Sequence, residues 1–251
     1  MTRIIMYGCN GKMGRTITDI AAADSEAEIV AGVDITGMGC GTYPVFKSLA
    51  DCDVTADVLI DFSSPKALDD ILDHAEERGL ALVMCTTGYS EEELLKIRNM
   101  SEKLPVLRSA NMSLGVNTLL KIVTAVAEVL CHEGFEPEIV EMHHDLKKDA
   151  PSGTAIAFAD AINKAVDNEY EYVFDRSTRR EPRPKKEIGI SSVRGGTIVG
   201  EHDIIFAGTD EVVEIKHTAY SKAIFGKGAV AAAKFLKGRK PGMYDMQEVI
   251  E

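Results

Sequence analysis

From Glu141 to Ala155 the chain reads Glu-Met-His-His-Asp-Leu-Lys-Lys-Asp-Ala-Pro-Ser-Gly-Thr-Ala. Two imidazoles, His143 and His144, and two ammonium groups, Lys147 and Lys148, are followed across Pro151 by Ser152-Gly153-Thr154 at an expected helix start. Histidine exchanges its proton near neutral pH, and the first turn of a helix offers unpaired N–H groups to an anion. The segment can therefore protonate a substrate and hold its anionic end within a few residues. Neighbouring side chains on a strand point to opposite faces, so both histidines serve one centre only if the chain turns there; otherwise one is structural. On a loop, one ammonium can enter a pocket while its neighbour stays in water. An N-cap role explains Ser152 by itself, and anion capture uses the same N–H groups, so both readings stand. The pair lacks the His-Glu-x-x-His spacing of a zinc helix, and no metal site is expected.

A second set of chemical residues lies near the N-terminus. Gly8-x-x-Gly11-x-x-Gly14 falls between an expected strand, Thr2 to Tyr7, and a helix from Arg15 to about Ala23. Glycine permits a tight turn and a close approach of backbone to a pyrophosphate, which the helix N-terminus attracts. The spacing departs from Gly-x-Gly-x-x-Gly, but the strand–loop–helix context fits a dinucleotide loop. Asp34 ends the next strand, Glu28 to Asp34, about twenty residues past Gly14, where a carboxylate accepts from the adenosine ribose hydroxyls. It would repel a 2′-phosphate, and Ile35 and Thr36 follow rather than an arginine, so NADH is the preferred cofactor, with Lys12 the residue that would offset the repulsion for NADPH. Cys85-Thr86-Thr87-Gly88 and Ser109-Ala110-Asn111-Met112 fall at later strand ends, on the edge where open α/β sheets bind ligands.

The elements that must position these residues form two domains. Strands Val58 to Phe62, Ala81 to Cys85 and Pro105 to Ser109 alternate with helices Pro65 to Arg78 and Ser90 to Ser101. Such alternation predicts an α/β, Rossmann-type, doubly wound parallel sheet over residues 1–112, completed by 222–251, whose last helix (Lys222 to Lys237) packs back on it. Residues 113–221 predict an α+β domain with a mostly antiparallel sheet. Its elements are helix Leu114 to Leu130, strand Glu138 to Met142, helix Ser152 to about Val166, and strands Ile188 to Arg194, Thr197 to Ala207 and Glu211 to Thr218, the last three an antiparallel meander. Tyr170 to Lys186, with Pro182 and Pro184, is expected to be a mobile excursion, and its Arg176, Arg179, Arg180, Arg183, Lys185 and Lys186 a solvated basic cluster.

Composition bounds the function. Apolar residues at 45% and charged residues at 27% describe a chain with a globular core. Forty acidic against 28 basic residues, a net charge of −12, gives no case for nucleic acid or an anionic membrane, so an anionic substrate needs a local basic patch such as His143 to Lys148. Cys9, Cys40, Cys52, Cys85 and Cys131 are scattered and odd in number, which fits a reducing cytoplasm, and no segment reaches transmembrane length.

The pattern Glu-x-His-His-x-x-Lys-x-Asp-Ala-Pro-Ser-Gly-Thr-Ala strongly resembles the signature of the 4-hydroxy-tetrahydrodipicolinate reductase (dihydrodipicolinate reductase) family of lysine and diaminopimelate biosynthesis. The resemblance extends over the chain through Gly8-x-x-Gly11-x-Met13-Gly14-Arg15, Thr86-Thr87-Gly88, Ala110-Asn111, and Arg194-Gly195-Gly196 leading to Gly200-Glu201-His202. It implies that His143 is the acid/base residue and Lys147 a proton donor, with His144, Ser152, Gly153 and Thr154 on a small dicarboxylate substrate. It also implies that NADH or NADPH lies across Gly8, Cys9, Asn10, Gly11, Lys12, Met13, Asp34, Cys85, Thr86, Thr87, Ser109, Ala110, Asn111 and Met112. A homotetramer built through the second sheet is a further implication. Cys85 and Lys222 replace residues common in the family, Gly and Arg, and remove no reacting group. Two other readings compete: a different amino-acid dehydrogenase of similar build, and a nucleotide-binding redox sensor without turnover. Glu201 and His202 are expected at an interface or hinge, and the two domains to close over ligand.

Overall fold

A computed structural model of the chain describes residues 1–39, 41–109 and 111–250; Cys40 and Ala110 lie outside them. In order, the first half contains β1 (Thr2–Tyr7), α1 (Lys12–Ala22), β2 (Ala27–Val33), β3 (Val45–Phe46), β4 (Val58–Asp61), α2 (Leu68–Arg78), β5 (Ala81–Met84), α3 (Glu91–Ser101) and β6 (Pro105–Arg108). Then come α4 (Leu114–Leu130), β7 (Glu136–His143), α5 (Gly153–Ala165), β8 (Glu171–Val173), β9 (Glu187–Arg194), β10 (Gly200–Ala207), β11 (Val212–Ala219), α6 (Ala223–Leu236), β12 (Gly242–Tyr244) and α7 (Met246–Val249). The chain divides into two compact units, Met1–Leu114 with Ala223–Glu251, and Gly115–Lys222.

In the first unit the strands order β12-β6-β5-β4-β1-β2-β3, all parallel. A parallel sheet covered on both faces needs apolar residues at consecutive positions. Ile4 and Met6 pack with Ile17 of α1 and Ala229 and Ala233 of α6. Ile5, between them in sequence, joins Leu68 and Ile71 of α2 on the opposite face. This is the expected doubly wound fold. The first helix begins at Lys12, earlier than the expected Arg15, because Gly11 serves as its N-cap and puts Lys12, Met13 and Gly14 in the first turn. The short strands β3 and β12 carry too few residues for a periodic signal.

The second unit holds a mixed sheet, β11-β10-β7-β9-β8. Ile139, Ile190, Ile204 and Phe206 line its covered face and pack on Val123 and Ala127 of α4 and Phe158 and Ile162 of α5. The expected meander of the last three strands is corrected here. β10 pairs antiparallel with β11 and β7, but β9 pairs parallel with β7 and never with β10. A helix separates β7 from β9 in the chain, and such a crossover brings the next strand back parallel. The Gly195-Gly196 turn arches over the end of β7, with Gly195 N–H on His143 O (2.9 Å) and Asp145 N–H on Gly196 O (3.3 Å).

Three arginines of the basic cluster also differ from expectation, while Arg180, Lys185 and Lys186 are exposed as expected. Arg176 and Arg179 both engage Glu187, which is 1% exposed, and Arg183 bonds Glu138 (2.7 Å) and Pro137 O (3.0 Å). The segment read as an excursion contains β8, and these arginines tie it to β7 and β9. Planar guanidinium groups reach several acceptors at once, which a count of charges along the sequence does not show.

Candidate active site

β7 alternates: Pro137, Ile139, Glu141 and His143 lie on the covered face and are buried. Period-two geometry thus puts Glu141 beside His143, and Glu141 Oε2 meets His143 Nδ1 at 2.5 Å. Because β9 lies directly beside β7, with Arg194 in register with His143, Arg194 reaches the same carboxylate with both terminal nitrogens, at 2.9 Å on Oε2 and 2.6 Å on Oε1. Ser152 N–H donates to Oε1 at 3.1 Å. Glu141 is fully buried, and burial alone would raise its pKa. Hydrogen bonds from Arg194, Ser192 and His143 overcome this and bring it down to about 2. An ionised Glu141 accepts only, so Nδ1 of His143 carries its proton to the carboxylate and Nε2 is the nitrogen left for chemistry. Burial lowers the His143 pKa, and the Lys147 and Arg194 charges add to this, while Glu141 opposes it. Gly200 leaves the room that Nε2 occupies, since a Cβ there would stand 3.0 Å from it.

β7 ends at His143 and the chain turns, so His143 and His144 no longer alternate along one strand. His144 Nδ1 is buried and has no hydrogen-bond partner among the described residues. Lys147 is the less exposed of the two lysines, and its ammonium is held at 2.8 Å by Asp149, whose carbonyl accepts from Arg194 at 2.7 Å. Ser152 is the N-cap of α5, its Oγ accepting from Ala155 N–H at 3.1 Å. Behind it, His202 Nε2 lies 3.0 Å from Ser152 Oγ, with its ring edge-on to His143 at 5.3 Å. Gly153 and Thr154 open the helix at the end of the sheet that carries His143.

In the first unit the glycine loop is a cradle of bare backbone. A Cβ on Gly14 would meet Gly8 O at 2.3 Å, and Gly11 caps α1 with no side-chain bond and no acidic residue in the first turn. First-turn N–H groups free of side-chain caps are suited to a pyrophosphate. Asp34 accepts from Asn10 N–H (3.3 Å) and from Thr36 N–H (3.0 Å) and hydroxyl (2.7 Å). Burial pushes its pKa up, but these donors prevail and hold it below the usual carboxylate range. A cleft of about 500 Å³ lies beside the loop, lined by Asn10, Arg15, Thr18, Met38 and Tyr43. Lys12 is exposed, while the side chains of Cys9 and Met112 belong to the core, leaving their backbone for any ligand contact. Cys85 also packs against that core, and burial raises its thiol pKa. Thr86 is buried and accepts from Ser63 N–H at 3.0 Å; Thr87 is exposed. Ser109 Oγ donates to Asn111 O (3.0 Å), and Asn111 Oδ1 accepts from Ser113 N–H (2.8 Å), which shapes that turn. The bare loop and the fixed carboxylate fit a dinucleotide.

Sequence alone points to no role for Glu141, Arg194 or Asp61, and to an interface or hinge for His202. For Glu141 the signal was available, because a residue two before His143 on a strand shares its face. His202 is 4% exposed on the covered face, whereas Glu201 points to the other and pairs with Lys216 at 3.2 Å.

Comparison with known proteins gives a consistent result. Family models for dihydrodipicolinate reductase match residues 2–112 (N-terminus) and 115–250 (C-terminus). The chain is 50% identical to the 4-hydroxy-tetrahydrodipicolinate reductase of Caldanaerobacter subterraneus subsp. tengcongensis, over 100% of this chain and 99% of the relative. It is 46% identical to that of Clostridium tetani, over 98% and 96%. Among solved structures, a dipicolinate-bound dihydrodipicolinate reductase from Paenisporosarcina aligns with a TM-score of 0.82 at 25% identity, covering 99% of both chains. Matching models over both halves, and near-complete coverage at 50% identity, place this chain in the dihydrodipicolinate reductase family.

Proposed function

We propose that the chain reduces 4-hydroxy-tetrahydrodipicolinate with a nicotinamide cofactor, in the sequence of reactions leading to diaminopimelate and lysine. The observation that carries this reading is the His143–Glu141–Arg194 assembly beside the N-terminus of α5. The balanced reaction consumes substrate, reduced cofactor and a proton, and yields tetrahydrodipicolinate, oxidised cofactor and water. The cofactor supplies a hydride to C4 of the conjugated imine left after loss of the 4-hydroxyl. Glu141 fixes the orientation of His143, so that Nε2 is the atom that takes up or delivers a proton. Lys147 is the proton donor to the ring that has received hydride. The α5 N-terminus, with Ser152, Gly153, Thr154 and His144, holds the carboxylates, which a chain of net charge −12 attracts only through such a local site.

Gly8 to Met13, Asp34, Cys85 to Thr87, Ser109, Asn111 and Met112 hold the dinucleotide, as does Ala110, which lies outside the described residues. NADH is the proposed form: Asp34, held by Asn10 N–H, would accept from the ribose hydroxyls, and no arginine follows it. The first unit is thus the nucleotide domain and the second the substrate domain, whose outer sheet face joins four copies. A cytoplasmic setting fits free cysteines and the absence, among the described residues, of any helix long and apolar enough to cross a membrane.

The test is direct. Purified chain given freshly generated imine, made from pyruvate and aspartate semialdehyde, is expected to oxidise NADH, and NADPH less efficiently; no oxidation of either overturns the proposal. His143→Ala and Lys147→Ala each lower kcat by about 10²-fold or more, with NADH affinity unchanged.

A further inference from the structure

Asp61 ends β4 and is fully buried. Among the described residues no cation pairs with it; its neighbours are hydroxyl and amide donors. Oδ1 accepts from Ser63 N–H (3.0 Å) and Ser63 Oγ (2.5 Å), and Oδ2 from Tyr89 Oη (3.1 Å). A carboxylate without a counter-ion is among the costliest groups to bury, and here only neutral donors offset that cost. Burial lifts its pKa above the ordinary range, while Ser63, Thr86 and Tyr89 limit the rise.

Its location narrows its role. The strand order reverses between β1 and β4, the topological switch point of this sheet. Asp61 pairs with Tyr7 across that point, Phe62 N–H bonds Tyr7 O (3.1 Å), and a Cβ on Gly8 would meet Phe62 O at 2.5 Å. The buried charge therefore borders the crevice directly beside the glycine loop. It stands on the β4–β5–β6 half of the sheet, while Asp34 stands on the other half. A dinucleotide crossing a switch point places one nucleotide on each half, so adenosine at Asp34 leaves the nicotinamide to the side of Asp61.

We propose that Asp61 is a positioning residue for the redox half of the cofactor: its fixed negative charge favours the cationic ring over the neutral one, and its hydrogen bonds hold the segments after β4 and β5 in place. When hydride, a proton with two electrons, passes to C4 of the substrate, the nicotinamide ring gains a positive charge. A preorganised negative charge in a dry surrounding favours that state without reorganisation. The inference rests on the nicotinamide-dependent reading above.

Calorimetric titration of the whole chain with NADH and with NAD⁺ tests it without turnover. In Asp61→Asn, NAD⁺ binding weakens relative to NADH by about tenfold, an electrostatic effect that a merely structural role would not separate between the two forms. Tyr89→Phe, which removes one of the donors that keep the buried carboxylate ionised, shifts the ratio the same way by about twofold. Equal weakening of both forms in Asp61→Asn, or an unchanged ratio in Tyr89→Phe, overturns the inference. If Asp61→Asn does not fold, as judged by circular dichroism, Tyr89→Phe decides alone. Failure of the unaltered chain to bind either form overturns the nicotinamide reading itself, a different result from an unchanged ratio.

Discussion

Glu141 shows how one residue combines stability and chemistry. It is fully buried, its carboxylate is clamped by Arg194, and it holds Nδ1 of His143. Glu141→Gln preserves shape but places an amide opposite both groups, so the imidazole is no longer held in a single tautomer. Its kcat is expected to fall by roughly 10²-fold while KM for the imine changes little, since the proposed substrate contacts lie elsewhere. Steady-state rates of NADH consumption check this; a rise in KM with kcat preserved would remove Glu141 from the chemistry. Arg194→Ala leaves the buried carboxylate without its cation and costs about 3–5 kcal/mol, measurable as a lower urea midpoint. An unshifted midpoint would show the pair to be dispensable.

At the level of elements, the two helix starts proposed to meet ligand differ in construction. α1 opens on glycine because backbone must approach backbone: a Cβ on Gly14 would fall 2.3 Å from Gly8 O and 2.6 Å from Cys9 Cα. Gly14→Ala must displace the loop, and NADH binding is expected to weaken by at least about tenfold, read by titration, while the fold persists. α5 opens instead on the Ser152 side chain, and Ser152→Ala costs about 1 kcal/mol from the lost cap. The α5 start was legible in the sequence, since Ser-Gly-Thr after proline is a local signal, whereas glycine spacing located the α1 loop but put the helix start at Arg15 rather than Lys12. The pairing of β9 was not legible. Gly-Gly turns between short apolar runs look the same whether the next strand lies alongside or one strand further on. Only packing decides which, and here β7 fills the gap between β9 and β10.

For the chain as a whole, the buried histidines set how stability depends on pH. Burial lowers His202 from 6.5 to about 3, and it lowers His143 in the same direction. The unfolded chain then binds protons that the folded chain refuses, so stability is full above pH 6.5 and declines as pH falls toward 3. Glu141, held at about 2 against an ordinary 4.5, adds a loss over the lower window as it is protonated in the unfolded chain first. Urea unfolding at pH 7.5 and 5.5, followed by circular dichroism, should show a lower midpoint at the lower pH, and His202→Gln should flatten the difference. Equal sensitivity in that variant would assign the effect to other groups.

The sequence by itself determined the doubly wound first sheet, the glycine loop with its acidic partner Asp34, and the His143-to-Thr154 stretch, because each is written in periodicity or short spacing. Strand alternation held the signal for pairing Glu141 with His143, but the expected strand stopped at Met142 and the pairing was not among the expectations. Tertiary structure alone decided that Arg194, 53 residues beyond Glu141, and His202, 50 beyond Ser152, converge on this same stretch. The reason is physical: alternation assigns a side chain to a face, but only the order in which strands pack, set by burying α4 and α5 on one side of the second sheet, assigns it a neighbour.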